Sequence, residues 1–194
     1  RRKYTMRGYF GIGVERISKT YNVGNLFRSA NAFDASFVFT IDCQYKRHIG
    51  KGSDTSDALA HLPFYEFPNI SSFVLPEECS LVGVELIDDA IELPSFHHPA
   101  CAAYIMGPER GSLSPRLIEM CDHVLKIPTK FCINVGIAGA IIMYDRLRSR
   151  GRFAPRPVRP GGAKTPHESH EFGSPKIRVK MNEYKTETPI TNLD

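Results

Sequence analysis

The sequence has no Cys-x-x-Cys pair, and its cysteines are odd in number and scattered along the chain: Cys43, Cys79, Cys101, Cys121 and Cys132. That distribution argues against a disulfide framework and indicates a reducing compartment. No apolar run approaches the length that crosses a bilayer, and the N-terminal residues lack the hydrophobic segment of a signal peptide. We therefore expect a cytoplasmic protein without a membrane partner, with Met6 as a candidate start residue.

Two kinds of binding motif are also missing. No Gly-x-Gly-x-x-Gly follows the first predicted strand, which disfavours a dinucleotide-binding dehydrogenase. His97, His98 and Cys101 lie close together in sequence, but no second ligand pair at zinc spacing accompanies them. The sequence therefore predicts no metal site.

What remains is the composition of a globular domain followed by a basic tail. The 194 residues are 42% hydrophobic with a net charge of +4, which suits one domain with a substantial core and an anionic partner. From Arg148 to Arg159 arginines alternate with prolines and glycine, and no acidic residue intervenes. We predict a domain over residues 1–148 and a flexible tail over 149–194. Arg148 at the end of the domain, with Arg150 and Arg152 in the tail, is expected to attract RNA.

Short apolar segments alternate with helical ones along the first 148 residues. Strands are predicted at 9–14, 37–41, 64–67, 81–86, 102–106 and 124–127. This alternation predicts an α/β fold with a mostly parallel sheet flanked by helices. Open sheets of that kind bind ligands at the carboxyl ends of their strands, where the loop Gly107–Gly111 follows a predicted strand.

Three predicted helices have recognisable starts. Asn22 is placed as the N-cap of an amphipathic helix, and Ser114 before Pro115 as the N-cap of a second that ends near Cys121. The third, after Asn134, crowds Gly136, Ala138, Gly139 and Ala140 together. Each glycine there costs about 1 kcal/mol of helix propensity, so we expect another element to pack closely against it.

Taken in order, three segments carry a family resemblance: NVGNLFR at Asn22–Arg28, GPERG at Gly107–Gly111, and Ile127-Pro128 followed by CINVGIAGAIIMYDRLR at Cys132–Arg148. They resemble the three motifs of the SpoU–TrmH family, RNA ribose 2′-O-methyltransferases of the SPOUT superfamily. The resemblance spans roughly Gly8 to Arg148 and implies a C-terminal trefoil knot. It begins so near the start that we expect a minimal version without an N-terminal RNA-binding domain.

The resemblance also implies a cofactor and the residues that hold it. By position, S-adenosylmethionine would be cradled by the backbone of three loops, at Leu86, at Gly107, and from Ile127 to Cys132 and Ile133. A neutral adenine held by backbone groups needs no charged side chain, which agrees with these apolar positions. Cys132 and Ile133 stand where the family usually has serine and leucine.

Four residues carry the family's substrate-handling roles by position: Asn22, Arg28, Glu109 and Asn134. Because arginine stays protonated near neutral pH, we expect Arg28 to clamp a substrate phosphate and stabilise the developing alkoxide. The family's site lies at a two-fold interface, which implies a homodimer acting on tRNA or rRNA. Two alternatives stay open: a catalytically silent RNA-binding module and a knotted base methyltransferase.

Overall fold

The computed structural model describes residues 8–17, 20–43, 61–108, 111–151, 153–154, 156–158 and 160–162. Its seven strands form one sheet in which every neighbouring pair is parallel. The strands are β1 (Phe10–Glu15), β2 (Phe37–Ile41), β3 (Phe64–Phe67), β4 (Ser80–Val84), β5 (Ile91–Glu92), β6 (Ala102–Met106) and β7 (His123–Lys126). Their spatial order is β3-β2-β1-β6-β4-β7-β5. The carboxyl ends of all seven strands therefore meet at one edge.

Helices cover both faces of this sheet. They are α1 (Thr20–Ala32), α2 (Pro115–Met120) and α3 (Val135–Arg150), with short 3-10 turns at Ile70–Ser72 and Leu93–Ser95. One core cluster joins α1 and α3 to one face of the sheet, and a second joins α2 and Phe73 to the other. The prediction of a mostly parallel sheet flanked by helices is confirmed, whereas the trefoil knot stays a prediction.

The small residues of α3 do allow a close helix contact. A β-carbon on Gly139 would lie 2.2 Å from Cδ1 of Leu26 on α1 and 3.4 Å from Cδ1 of Ile12 on β1. A larger side chain at this position would displace the Leu26 side chain from the contact. The expectation of a closely packed partner for this helix is confirmed, and that partner is α1.

A buried polar cluster fastens α3 to the loop before β6. Arg146, only 1% exposed, donates to the carbonyl oxygens of Pro99 at 2.6 Å, Ala100 at 2.7 Å and Tyr9 at 3.2 Å. Its guanidinium also donates to the Tyr104 hydroxyl at 3.2 Å. A buried arginine fork that satisfies several carbonyls at once fixes the direction of α3 along the sheet.

His98 completes the same cluster. Its Nδ1 lies 2.6 Å from the Tyr104 hydroxyl and its Nε2 lies 3.1 Å from Oδ2 of Asp145. A carboxylate can only accept, so Nε2 donates to Asp145 and Nδ1 accepts from Tyr104. Burial lowers the pKa of the His98 imidazole, against the opposing pull of Asp145. The neutral ring thus satisfies both of its neighbours.

One helix start differs from the prediction, and a second has the predicted position without the predicted capping bond. Helix α1 begins at Thr20, so Asn22 lies inside its first turn and is not the N-cap. Ser114 does occupy the N-cap of α2, but its hydroxyl makes no capping hydrogen bond. Its backbone N–H is held instead by Glu15, 99 residues away, which no local pattern could indicate.

The contacts divide the chain into two compact units, residues 1–153 and 154–194. Helix α3 continues to Arg150, two residues past the predicted boundary at 148, and the division into a domain and a flexible tail stays a prediction. All five cysteines lie within the described residues, and each is a free thiol. No helix in the described part of the chain is long and apolar enough to cross a membrane.

Candidate functional site

A cavity opens at the carboxyl edge of the sheet, where the loops after β4, β6 and β7 meet. Its walls include all five residues predicted for the cofactor: Leu86, Gly107, Ile127, Cys132 and Ile133. Val135 and Ala138 of α3 complete the wall on the helix side. The structure therefore brings together residues up to 47 positions apart in sequence, although their role in binding stays a prediction.

The lining chemistry suits a neutral ring system held by backbone groups. Met106, Ile127, Ile133 and Val135 supply apolar surface, and the loop at Gly107 and Pro108 brings main chain to the wall. Glu85 is the only carboxylate among the lining residues that the structure describes. The residues present therefore fit the adenosine part of S-adenosylmethionine, and Glu85 adds a negative charge near the cavity.

Two carboxylates fix the loop that follows β6. Oε2 of Glu85 accepts from the N–H of Leu113 at 2.8 Å, while its Oε1 accepts from the N–H of Leu86 at 3.0 Å. Oε2 of Glu15, at 1% exposure, accepts from the N–H of Ser114 at 2.7 Å. We call Glu15, Glu85 and the loop residues that they hold the carboxylate clamp.

The carboxylate clamp also explains why Gly107 is needed. A β-carbon there would lie 2.9 Å from the Leu113 nitrogen and 3.6 Å from Oε2 of Glu85, so a larger residue would force the held loop away. Sequence reasoning missed Glu15 and Glu85. The available signal was an acidic residue at the carboxyl end of an apolar strand, in β1 and just after β4.

The motif asparagines Asn22 and Asn134 meet across 112 residues of sequence. Nδ2 of Asn134 donates to Oδ1 of Asn22 at 3.0 Å. Oδ1 of Asn134 caps α3 by accepting from the N–H groups of Gly136 at 2.9 Å and Ile137 at 3.4 Å. The pair joins the first turn of α1 to the start of α3 and so places both helices beside the cavity.

A groove on the other side of α3 contains Arg28. Arg28 is exposed and, within the described residues, makes no hydrogen bond or ion pair. The groove is lined by Asn25, Arg28, Ser29, Asn134, Gly136, Ile137, Ala140, Ile141 and Tyr144. Consequently Arg28 and Asn134 border one groove, while Ile133 and Val135 border the cavity.

The remaining predicted residues are placed as follows. Glu109 and Arg152 lie outside the described residues. Arg148 pairs with Oδ1 of Asp145 at 3.5 Å, and Arg150 donates to the His98 carbonyl at 2.9 Å, so part of their capacity is used within the fold. Their contact with RNA stays a prediction. No group of three residues able to hold a metal occurs in the described segments.

A parallel α/β sheet whose strand-end loops build a cavity at the carboxyl edge defines a ligand-binding domain of the open-sheet class. The model of the SpoU rRNA methylase family matches residues 10–144. The chain belongs to this family. That match includes the first two motif segments, the third as far as residue 144, and the residues that line the cavity and the groove.

Relatives with known names are distant in sequence. The chain is similar to the tRNA (guanosine(18)-2′-O)-methyltransferase TARBP1 of Mus musculus, with 24% identity over 142 residues. That alignment covers 69% of this chain but 9% of the mouse protein. Among solved structures, AviRb of Streptomyces viridochromogenes, in complex with AdoMet, has a TM-score of 0.66 and 22% identity, covering 74% of this chain and 58% of AviRb.

An AdoMet-bound rRNA methyltransferase of Sinorhizobium meliloti gives a TM-score of 0.67 at 18% identity, with coverage of 73% of this chain and 57% of that one. The chain thus spans less than two thirds of the length of these relatives. At such identities the structural likeness establishes the shared fold.

Proposed function

We propose that the protein transfers a methyl group from S-adenosylmethionine to a ribose 2′-hydroxyl of tRNA or rRNA. The observation that carries this proposal is the convergence of the family's three motif segments on one edge of the sheet. There the predicted cofactor residues line a single cavity, and Arg28 and Asn134 border the adjoining groove. Relatives named as a tRNA methyltransferase, a SpoU methyltransferase and an rRNA methyltransferase, the last two with AdoMet bound, support it.

When bound, the cofactor supplies an electrophilic methyl group. The chain's own residues hold it in place: Ile127, Ile133 and Val135 exclude water from one wall, and the backbone at Gly107 forms another. Glu85 keeps the loops at Leu86 and Leu113 at a fixed separation, so that the cavity is shaped before binding.

Arg28 serves the substrate. Its guanidinium presents a planar fork of donors to solvent in the groove, which suits bidentate contact with an RNA phosphate. A cation fixed there stabilises negative charge as the hydroxyl loses its proton. Asn134, already holding the start of α3, orients the same groove.

The groove also supports assembly as a homodimer. Ile137, Ile141 and Tyr144 of α3 are large apolar side chains that are 57%, 37% and 54% exposed beside Arg28. A two-fold contact along this face would cover them and place the Arg28 side chains at the interface. Light scattering at micromolar concentration tests this point, and a monomer contradicts it.

The trefoil knot, the cytoplasmic location and an RNA-attracting basic tail belong to the same proposal.

Two measurements test the function. Titration calorimetry should show binding of S-adenosylmethionine and its demethylated product, and no binding of either at millimolar concentration contradicts the proposal. Mass spectrometry of nucleosides from treated tRNA and rRNA should reveal ribose methylation. Base methylation would favour the knotted base methyltransferase instead, and RNA binding without any cofactor binding would favour the silent module.

A further inference from the structure

Phe131 is the most exposed phenylalanine or tyrosine in the described part of the chain, at 73%. It lies in the loop between β7 and α3, directly before Cys132 and Ile133, which line the cavity. Asn134, three positions further on, borders the groove of Arg28. An apolar ring is therefore presented to solvent on the loop that leads into the cavity and the groove.

The loop holds this position by hydrogen bonds of its own. The hydroxyl of Thr129 donates to the carbonyl oxygen of Phe131 at 2.9 Å. The N–H of Thr129 donates to the carbonyl oxygen of Ile127 at 2.7 Å. The backbone at Phe131 is thus tied to the end of β7.

The residue before the ring, Lys130, is an exposed cation. The segment from Ile127 to Asn134 contains no acidic residue, although Lys130 also borders a depression that Asp88 and Glu92 line. A flat aromatic ring beside a cation matches an unpaired nucleotide, since the base can stack on the ring while the phosphate meets the ammonium group. An apolar protein partner would not need the lysine.

We propose that Phe131 stacks on an unpaired base of the RNA substrate and that Lys130 contacts its phosphate. The inference rests on the proposed function for the class of substrate, RNA, but not on methyl transfer. It assigns the positioning of the target nucleotide to a residue that none of the family motifs in this sequence contains.

The absence of tryptophan from the chain allows a direct test. Phe131→Trp introduces a single indole whose emission a stacked base should quench. The full chain is titrated with a short single-stranded oligoadenylate, without cofactor, and then with inorganic polyphosphate as a source of phosphate alone. Saturable quenching by the RNA but not by polyphosphate is expected. The matched control is Tyr65→Trp, because Tyr65 is 52% exposed on β3 at the far end of the sheet from β7.

Several outcomes overturn the inference. One is equal quenching of both variants, and another is no quenching at Phe131→Trp. A third is an emission change of Phe131→Trp that follows protein concentration without RNA, which would assign the ring to a contact between two copies of the chain.

Affinity measurements give a second readout. Phe131→Ala and Phe131→Leu should both weaken RNA binding by about five- to a hundredfold, because leucine keeps apolar bulk but has no ring. Affinity for S-adenosylmethionine should not change. If leucine restores RNA affinity, stacking is wrong. Quenching by RNA in a protein that fails to bind the cofactor would leave this inference standing and contradict the proposed function.

Discussion

Replacement of Arg146 by methionine tests whether the buried polar cluster holds α3 in place. Methionine keeps a long apolar side chain at the site but removes every donor. The carbonyl oxygens of Tyr9, Pro99 and Ala100 then lose their charged partner. The ring contacts, with the guanidinium carbon 5.2 Å from the centroid of Phe10, lose their cation as well.

The size of the effect follows from what water can replace. Ala100 is exposed, so a water molecule can take over the donor there, whereas the residues Tyr9 and Pro99 are only partly accessible. Leaving a buried acceptor unpaired costs about 1–3 kcal/mol, so two give at most about 6 kcal/mol. Because both are only partly buried, we expect the lower part of that range, about 2–4 kcal/mol. Against a total stability of about 5–15 kcal/mol, that loss is readily measured.

Urea unfolding followed by circular dichroism measures the loss. The matched control is Arg148→Met on the same helix, whose side chain is 47% exposed and pairs with Asp145 at 3.5 Å. A surface pair of that kind contributes less than about 1 kcal/mol. Arg146→Lys should lie between the two, since an ammonium group keeps the charge but not the planar fork. Equal free energies of unfolding for Arg146→Met and Arg148→Met would refute the reasoning.

Three further changes address the site and the cluster. Arg28→Lys should slow single-turnover methylation by about a hundredfold to a thousandfold with cofactor affinity unchanged, and a wild-type rate would make Arg28 an ordinary surface residue. Glu85→Ala should weaken cofactor binding about tenfold in calorimetry, because it releases the N–H of Leu113. Replacement of the exposed Glu119 on α2 by alanine is the control and should leave cofactor affinity unchanged. Equal affinities of the two variants contradict the carboxylate clamp. Because burial lowers the pKa of His98, the unfolded chain binds the extra proton. The contribution of neutral His98 to the free energy of unfolding is therefore complete above about pH 6.5 and is lost as the pH falls. His98→Gln should accordingly flatten the pH dependence of the urea midpoint between pH 7.5 and 5. An unchanged slope contradicts that assignment.

Local patterns in the sequence were enough to predict most of the sheet. Strand β2 was placed at its observed bounds, and β6 likewise, because both are short apolar runs between turn residues. Strand β5 was missed because two residues carry no periodicity. It exists through its pairing with β7, which depends on tertiary structure.

The residues of the candidate site also fall into those that local sequence patterns indicate and those that they do not. Residues with an unusual local signature were found, such as Gly107 beside proline and Asn134 before a run of small residues. The carboxylate clamp was not, because a glutamate at the end of a strand has no distinctive neighbours in sequence. Its function depends on a loop 99 residues away in the case of Glu15 and 28 residues away in the case of Glu85.

The fold itself explains part of the family motifs. Asn134 accepts at the helix start and donates to Asn22 at once, and its carboxamide places the acceptor and the donor on separate atoms. Aspartate could cap the helix but has no proton to donate, and serine would have to accept and donate through one oxygen. The joint between α1 and α3 therefore accounts for an asparagine at 134 and for an acceptor at 22, whatever these residues do for a substrate. Arg28 is different, because no contact among the described residues accounts for it. For that reason the mechanistic proposal depends on Arg28 more than on either asparagine.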